Sequence, residues 1–210
     1  RLVYSMGIHR QMPDRLRMRD PLIEACRHAE RTMARMPGFG KKLYQFILPL
    51  FANAPEARQR LVKAACLLHD TTWRAHPDYR AEVCFDNATR ANLGGLSHPE
   101  RVFLGVALLH RYKNSRTGSR MEPLFALLDA HQLRDAEVIG KAMRFGAMFA
   151  VKSPEEAGEL VWKPQKKVLE LRLRKDAEPL FGEVAAARIR AHVEAQGGTY
   201  NVTVVEDSGP

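Results

Sequence analysis

Leu61-Val62-Lys63-Ala64-Ala65-Cys66-Leu67-Leu68-His69-Asp70 sets the fold class of this chain. Leu61, Val62, Ala65, Cys66 and Leu68 recur at the spacing of one apolar helix face. Pro55 stands ahead of them, where a ring without an N–H opens a helix at little cost. The helix runs into His69-Asp70, two polar groups at the end of an apolar rod.

Upstream, Leu43, Phe46, Ile47, Leu50 and Phe51 form a second stripe at i, i+3, i+4, i+7 and i+8. Pro49 lies inside it and predicts a kink or a helix end, since it removes a ladder bond and crowds the preceding turn. Further back, Asp20-Pro21 predicts a helix start carrying Leu22, Cys26, Ala29 and Met33, stopped by Pro37-Gly38. Downstream, a loop at His76-Pro77-Asp78 leads into a helix over about Tyr79 to Leu93, ended by Gly94-Gly95. Ser97-His98-Pro99-Glu100 fits a capping box and starts a helix with Val102, Phe103, Val106, Leu109 and Tyr112. Pro123 and Asp135 predict two further starts, the last helix reaching about Val151.

The period then changes. Leu169, Leu171 and Leu173 alternate with Glu170, Arg172 and Arg174, which predicts a strand with one dry face. A helix is expected over Pro179 to Gln196, closed by Gly197-Gly198, and a second strand over Tyr200 to Val205. The fold class is therefore mainly α: a helical bundle followed by a small strand–helix–strand α/β tail. Glu206 to Pro210 are polar and expected to be loose.

The apolar share of 45% suits a folded core, and no apolar run approaches the roughly 20 residues needed to cross a bilayer. Cys26, Cys66 and Cys84 sit within apolar helical patterns and form no Cys-x-x-Cys pair, as expected of buried thiols in a reducing cytoplasm. The net charge of +9 favours a polyanionic partner: a polyphosphate-like substrate, nucleic acid or an anionic surface.

Two clusters carry candidate chemistry. A His-Asp doublet closing an apolar helix is similar to that of the metal-dependent phosphohydrolases named after it. Their metal is held by a further His, the doublet and a distant Asp, and it supplies hydroxide for attack on phosphorus. Where the first His is wanted, this chain has Gly40-Lys41-Lys42-Leu43-Tyr44. The last long helix reads Ala142-Met143-Arg144-Phe145-Gly146-Ala147, with Ala147 in the place of the carboxylate. Nearby lysines would also repel a cation. No metal or other cofactor is expected in this chain; a metal, if present, would lie on His69 and Asp70, with His28, His76 or His110 as possible partners.

The second cluster is basic. His110, Arg111, Lys113, Arg116 and Arg120 mark a helix end and the loop beyond it, and Arg74, His76 and Arg80 lie close to the doublet. Cations suit the negative end of a helix dipole. They also suit a phosphate-binding rim, with arginine as a fork and lysine as a mobile point charge. These eight residues are the candidate polyanion contacts. Lys163, Lys166, Lys167, Arg172 and Arg174 make a third basic patch, with solvated charge as its default reading.

Several stretches together resemble the exopolyphosphatase / guanosine-pentaphosphate phosphohydrolase family. Tyr4-Ser5-Met6-Gly7-Ile8-His9-Arg10-Gln11 looks like the end of that family's actin-like phosphatase domain, with His9, Arg10 and Gln11 replacing its Arg-Glu-Gly. Asp20-Pro21-Leu22 looks like the linker. His69-Asp70-Thr71-Thr72-Trp73 with His76-Pro77-Asp78-Tyr79-Arg80 looks like the core of its helical C-terminal domain, and Leu109-His110-Arg111-Tyr112 is similar too.

The resemblance implies residues 1–18 as a linker from an N-terminal actin-like domain, 19–152 as an HD-like helical domain, 153–206 as a small α/β subdomain and 207–210 as a tail. It implies a parent enzyme that removes phosphate from inorganic polyphosphate or guanosine pentaphosphate, with Mg2+, in the cytoplasm. Its catalytic residues belong to the N-terminal half, so none is expected here. This chain would contribute substrate binding and homodimerisation. Two alternatives remain: a self-sufficient metal phosphohydrolase using His69 and Asp70, and a basic helical module that binds nucleic acid.

Overall fold

The computed structural model describes residues 19–206. The expected linker and tail, with the Tyr4–Gln11 resemblance, lie outside the described residues. The helices are α1 (Pro21–Met33), α2 (Phe39–Ile47), α3 (Glu56–Leu68), α4 (Pro77–Arg90), α5 (His98–Tyr112), the short α6 (Glu122–Phe125), α7 (Ala130–Phe149), the short α8 (Pro154–Ala157) and α9 (Glu183–Gln196). The strands are β1 (Gly158–Lys163), β2 (Val168–Arg174) and β3 (Thr199–Val205). The chain is mainly α with a small α/β tail.

Local chemistry sets most boundaries. Asp20 caps α1 by accepting from the Leu22 N–H at 2.9 Å, and Pro21 fills the first helical position. Pro49 ends α2, and the chain tightens into a 3-10 turn over Leu48–Phe51. Both bonds of the Ser97–Glu100 capping box are made: Glu100 accepts from the Ser97 N–H at 2.7 Å, and Ser97 from the Glu100 N–H at 3.3 Å. Gly197 closes α9 at φ +79°, a left-handed conformation that glycine adopts without strain.

Four boundaries differ from the periodicity. α4 starts at Pro77 because the His76 ring accepts from the Asp78 N–H, and it ends at Arg90, three residues early. α7 starts at Ala130 rather than Asp135, because Asp129 and Gln132 form a second capping box. The Pro179 region is a 3-10 segment, Lys175–Leu180, and α9 begins only at Glu183. β1 is a strand the alternation did not reveal: only Leu160 and half-buried Trp162 mark its inner face, so its pattern is too short to stand out.

The three strands form a sheet in the order β1-β2-β3. β1 and β2 are antiparallel, with Leu160 opposite Leu171. β2 and β3 are parallel, with Leu171 opposite Val202, as a helical crossover through α9 requires. Leu169, Leu171 and Leu173 are buried in the apolar core that also holds Leu43 and Phe46 of α2, Val62 and Cys66 of α3, and Phe145 and Phe149 of α7. Phe149 stacks on Phe46 and Phe145 at centroid distances of 5.8 and 5.4 Å, and Phe46 meets Phe145 tilted at 6.0 Å. α9 packs along α7, so the tail shares the bundle's core. All three cysteines are buried free thiols, and burial raises Cys26 to about 12 and Cys84 to about 11. Among the described residues no helix is long and apolar enough to cross a membrane.

Candidate functional site

α3 ends at Leu68, and the turn that follows delivers His69 and Asp70 into the interior, where both are buried. The His69 ring packs on Phe39 at 5.4 Å. Its Nδ1 accepts from Arg111 Nε at 3.3 Å, and its carbonyl accepts from the Tyr112 hydroxyl. An arginine Nε always carries its proton, so Nδ1 of His69 is the acceptor and Nε2 holds the hydrogen of the neutral ring. Burial, then Arg111 and Arg35, holds the His69 pKa well below the usual imidazole range.

Asp70 faces a cation too. Its Oδ2 accepts from the Arg35 N–H at 3.2 Å and its Oδ1 from the Arg35 guanidinium at 3.1 Å. Arg35 follows the end of α1, and periodicity gave no sign that it would meet Asp70 across 35 positions. The doublet is thus enclosed by two arginines.

The other metal-ligand candidates lie apart. His28 is exposed and pairs with Arg31 at 3.3 Å. His76 is exposed and caps α4. His110 is fully buried, with Nδ1 against the Lys113 carbonyl at 3.1 Å and Nε2 without a partner. Among the described residues no three of His, Cys, Asp and Glu come together as a metal site. Lone pairs and carboxylates that a cation would need are engaged by guanidiniums, so the residues present do not fit a metal at the doublet.

The eight basic candidates fall into four settings. Arg111 and His110 are interior. Arg116 and Arg120 are exposed to different degrees but ion-paired: Arg116 with Glu137 at 3.1 Å, Arg120 with Glu82 and Asp86 at 3.4 and 3.5 Å. Arg80 is half-buried and clamps the loop after the doublet, donating to the carbonyls of Trp73 at 2.7 Å and Ala75 at 3.1 Å. Arg74, His76 and Lys113 remain. Arg74 is exposed above the Trp73 ring at 5.2 Å, and Arg35 approaches the same ring at 6.0 Å. Two guanidiniums thus flank one indole on the surface just outside the doublet. The third patch is largely paired: Lys163 and Arg172 both bond Glu170, and Arg174 meets Asp176 at 3.3 Å.

Comparison with known proteins adds one match. The family model described as "Exopolyphosphatase, C-terminal" matches residues 22–202. No curated protein matches the chain.

Proposed function

The chain belongs to the exopolyphosphatase C-terminal family, and from that premise we propose that it holds the anionic substrate of such an enzyme. The substrate is inorganic polyphosphate or guanosine pentaphosphate, hydrolysis falls to an actin-like domain in cis that uses Mg2+, and the setting is cytoplasmic. The observation that carries this reading is the bond from Arg111 Nε to His69 Nδ1. An arginine occupies the lone pair that a hydrolytic metal would need, so no hydrolytic step is assigned to this chain.

The charge supports the same reading. The surplus of +9 is displayed in part by Arg74 and Arg35 about Trp73 and by Lys113 near the end of α5. These cations could follow a repeating phosphate chain while the paired arginines behind them keep the loop in place.

The test is phosphate release from polyphosphate by this chain, with Mg2+ and then Mn2+, beside a binding titration at two salt concentrations. Binding that weakens steeply with salt, without release, is the expected result. Release above background that His69→Ala abolishes would sink the proposal. Equal affinity for polyphosphate and random duplex DNA would leave only a general basic module.

Self-association belongs to the same proposal. Met148, Val151 and Leu180 are exposed apolar side chains around a surface groove of about 690 Å³, and a second copy would cover them. Sedimentation of the chain over a range of concentrations decides this: a monomer throughout removes the dimer from the reading.

A further inference from the structure

The two edges of the sheet are built differently. β1 carries Glu159 and Lys163 and packs against α2 and the Leu48–Phe51 turn. β3 packs against β2, α9 and the Lys175–Leu180 segment, and no described residue pairs with its outer side. Its seven residues, Thr199-Tyr200-Asn201-Val202-Thr203-Val204-Val205, hold no charge, no proline and no glycine, and five are β-branched. Its pairing with β2 runs unbroken from Thr199 to Val205, with no bulge. Natural edges are guarded by charge, proline, bulges or shortness, because an open row of N–H and C=O groups recruits another strand. β3 has none of these guards, and its Val204 and Val205 are 41% and 44% exposed.

The register says which groups lie open. The Thr199 N–H donates to the Lys167 carbonyl at 2.9 Å, beside the Val168–Thr199 pair. In a parallel ladder alternate residues bond toward the neighbour. Thr199, Asn201 and Thr203 therefore turn their backbone groups to β2, and Tyr200, Val202 and Val204 turn theirs to the free edge. These three residues share the sheet face of Leu169, Leu171 and Leu173.

We propose that β3 pairs with the same strand of a second copy of this chain, antiparallel about a two-fold axis at Val202. In that register Tyr200 meets Val204 and Val202 meets itself, so every open group falls in a pair that exchanges both of its bonds. Tyr200 with Val204 is an aromatic and β-branched pair, and symmetry makes it twice. Asn201 meets Thr203 on the other face, and no like charges stand opposed. The strand ends match as well. Lys166 and Lys167 are exposed at the Thr199 end, and Glu206 is exposed at the other. Antiparallel pairing sets the Glu206 of one copy beside the lysine turn of the other. A strand that complements itself in register and in charge fits a second copy. The contact rests on the self-association proposed above and continues its surface: Arg174 and Asp176 line that groove, and Lys175 between them bonds Glu206 at 3.0 Å.

Sedimentation of the whole chain over a range of concentrations, beside two edge variants, tests the contact. Val204→Pro removes an N–H that faces outward, so the ladder to β2 is kept. By symmetry it deletes two bonds of the contact and should weaken self-association about 10- to 100-fold. Its Tm in dilute protein should stay within about 2 °C of the unaltered chain. Val204→Lys keeps the N–H but places a guarding charge on the edge, and it should weaken the dimer likewise. A dimer of unchanged affinity in both variants overturns the edge contact and leaves self-association through the groove. An unaltered chain that stays monomeric overturns both, and the open edge would then suit a strand from a different chain or domain.

Discussion

Arg111 Nε lies 3.3 Å from Nδ1 of His69, and this bond fixes the imidazole as a neutral acceptor inside the bundle. Arg111→Ala removes the donor and leaves the buried ring unpaired. The expected loss is about 1.5–3 kcal/mol, the range for a hydrogen bond with a charged partner. Urea denaturation measures it. Arg111→Lys should not restore the loss, because a lysine cannot place a planar donor at the same angle.

Stability should fall as the pH drops from about 6.5 toward 4. Burial lowers His110 and His192 to about 4 from an ordinary 6.5. The unfolded chain then binds more protons across that window, so acid favours it. Each ring contributes at most about 3 kcal/mol over the full window. Glu137, lowered chiefly by its bond from Lys141 and by His110, adds a loss at the acid end. Glu30 works the other way, since burial raises its carboxyl. Denaturation curves at pH 7, 6, 5 and 4 give the slope, and His192→Gln should flatten it.

Two glycines allow helices to touch backbone to backbone. A Cβ on Gly40 would lie 2.8 Å from the Cys66 carbonyl oxygen and 2.9 Å from Leu67 Cα. On Gly140 it would lie 2.3 Å from the Ala107 carbonyl oxygen. Backbone cannot swing aside as a side-chain tip can. Gly40→Ala and Gly140→Ala should each cost about 1–3 kcal/mol through forced displacement of the helix pair, read as a drop in Tm.

Arg74 and Arg80 stand close in sequence and should behave oppositely. Arg80→Ala frees the Trp73 and Ala75 carbonyls and should lower stability by about 1–2 kcal/mol while leaving polyphosphate affinity nearly unchanged. Arg74→Ala should leave Tm in place, weaken polyphosphate binding and reduce its salt slope by about 1. An Arg74→Ala chain with the original slope would remove Arg74 from the contact.

Ser97→Ala tests the local origin of α5. It deletes one arm of the capping box and should cost about 1 kcal/mol by chemical denaturation. Asp129→Ala should do the same at α7.

Most of the secondary structure was legible because its causes are local. Asp20, Pro21, Ser97 and Glu100 act within one turn of themselves, and Leu169, Leu171 and Leu173 show their period directly. The Asp129–Gln132 box is equally local, and it starts α7 ahead of Asp135. β1 was not legible in the same way, because its six residues become a strand by pairing with β2 through a hairpin.

The sequence by itself determined a mainly helical chain with an α/β tail, three buried thiols, a basic surplus and a His-Asp doublet of family character. Only the tertiary structure decided which cations are free. Arg74 and Arg111 look alike along the chain, yet one lies on Trp73 in solvent and the other is sealed against His69. Arg35 and Asp70 meet only because particular helices pack. Caps and periodicity act over a few residues, whereas charge pairing and burial depend on which helix faces come together.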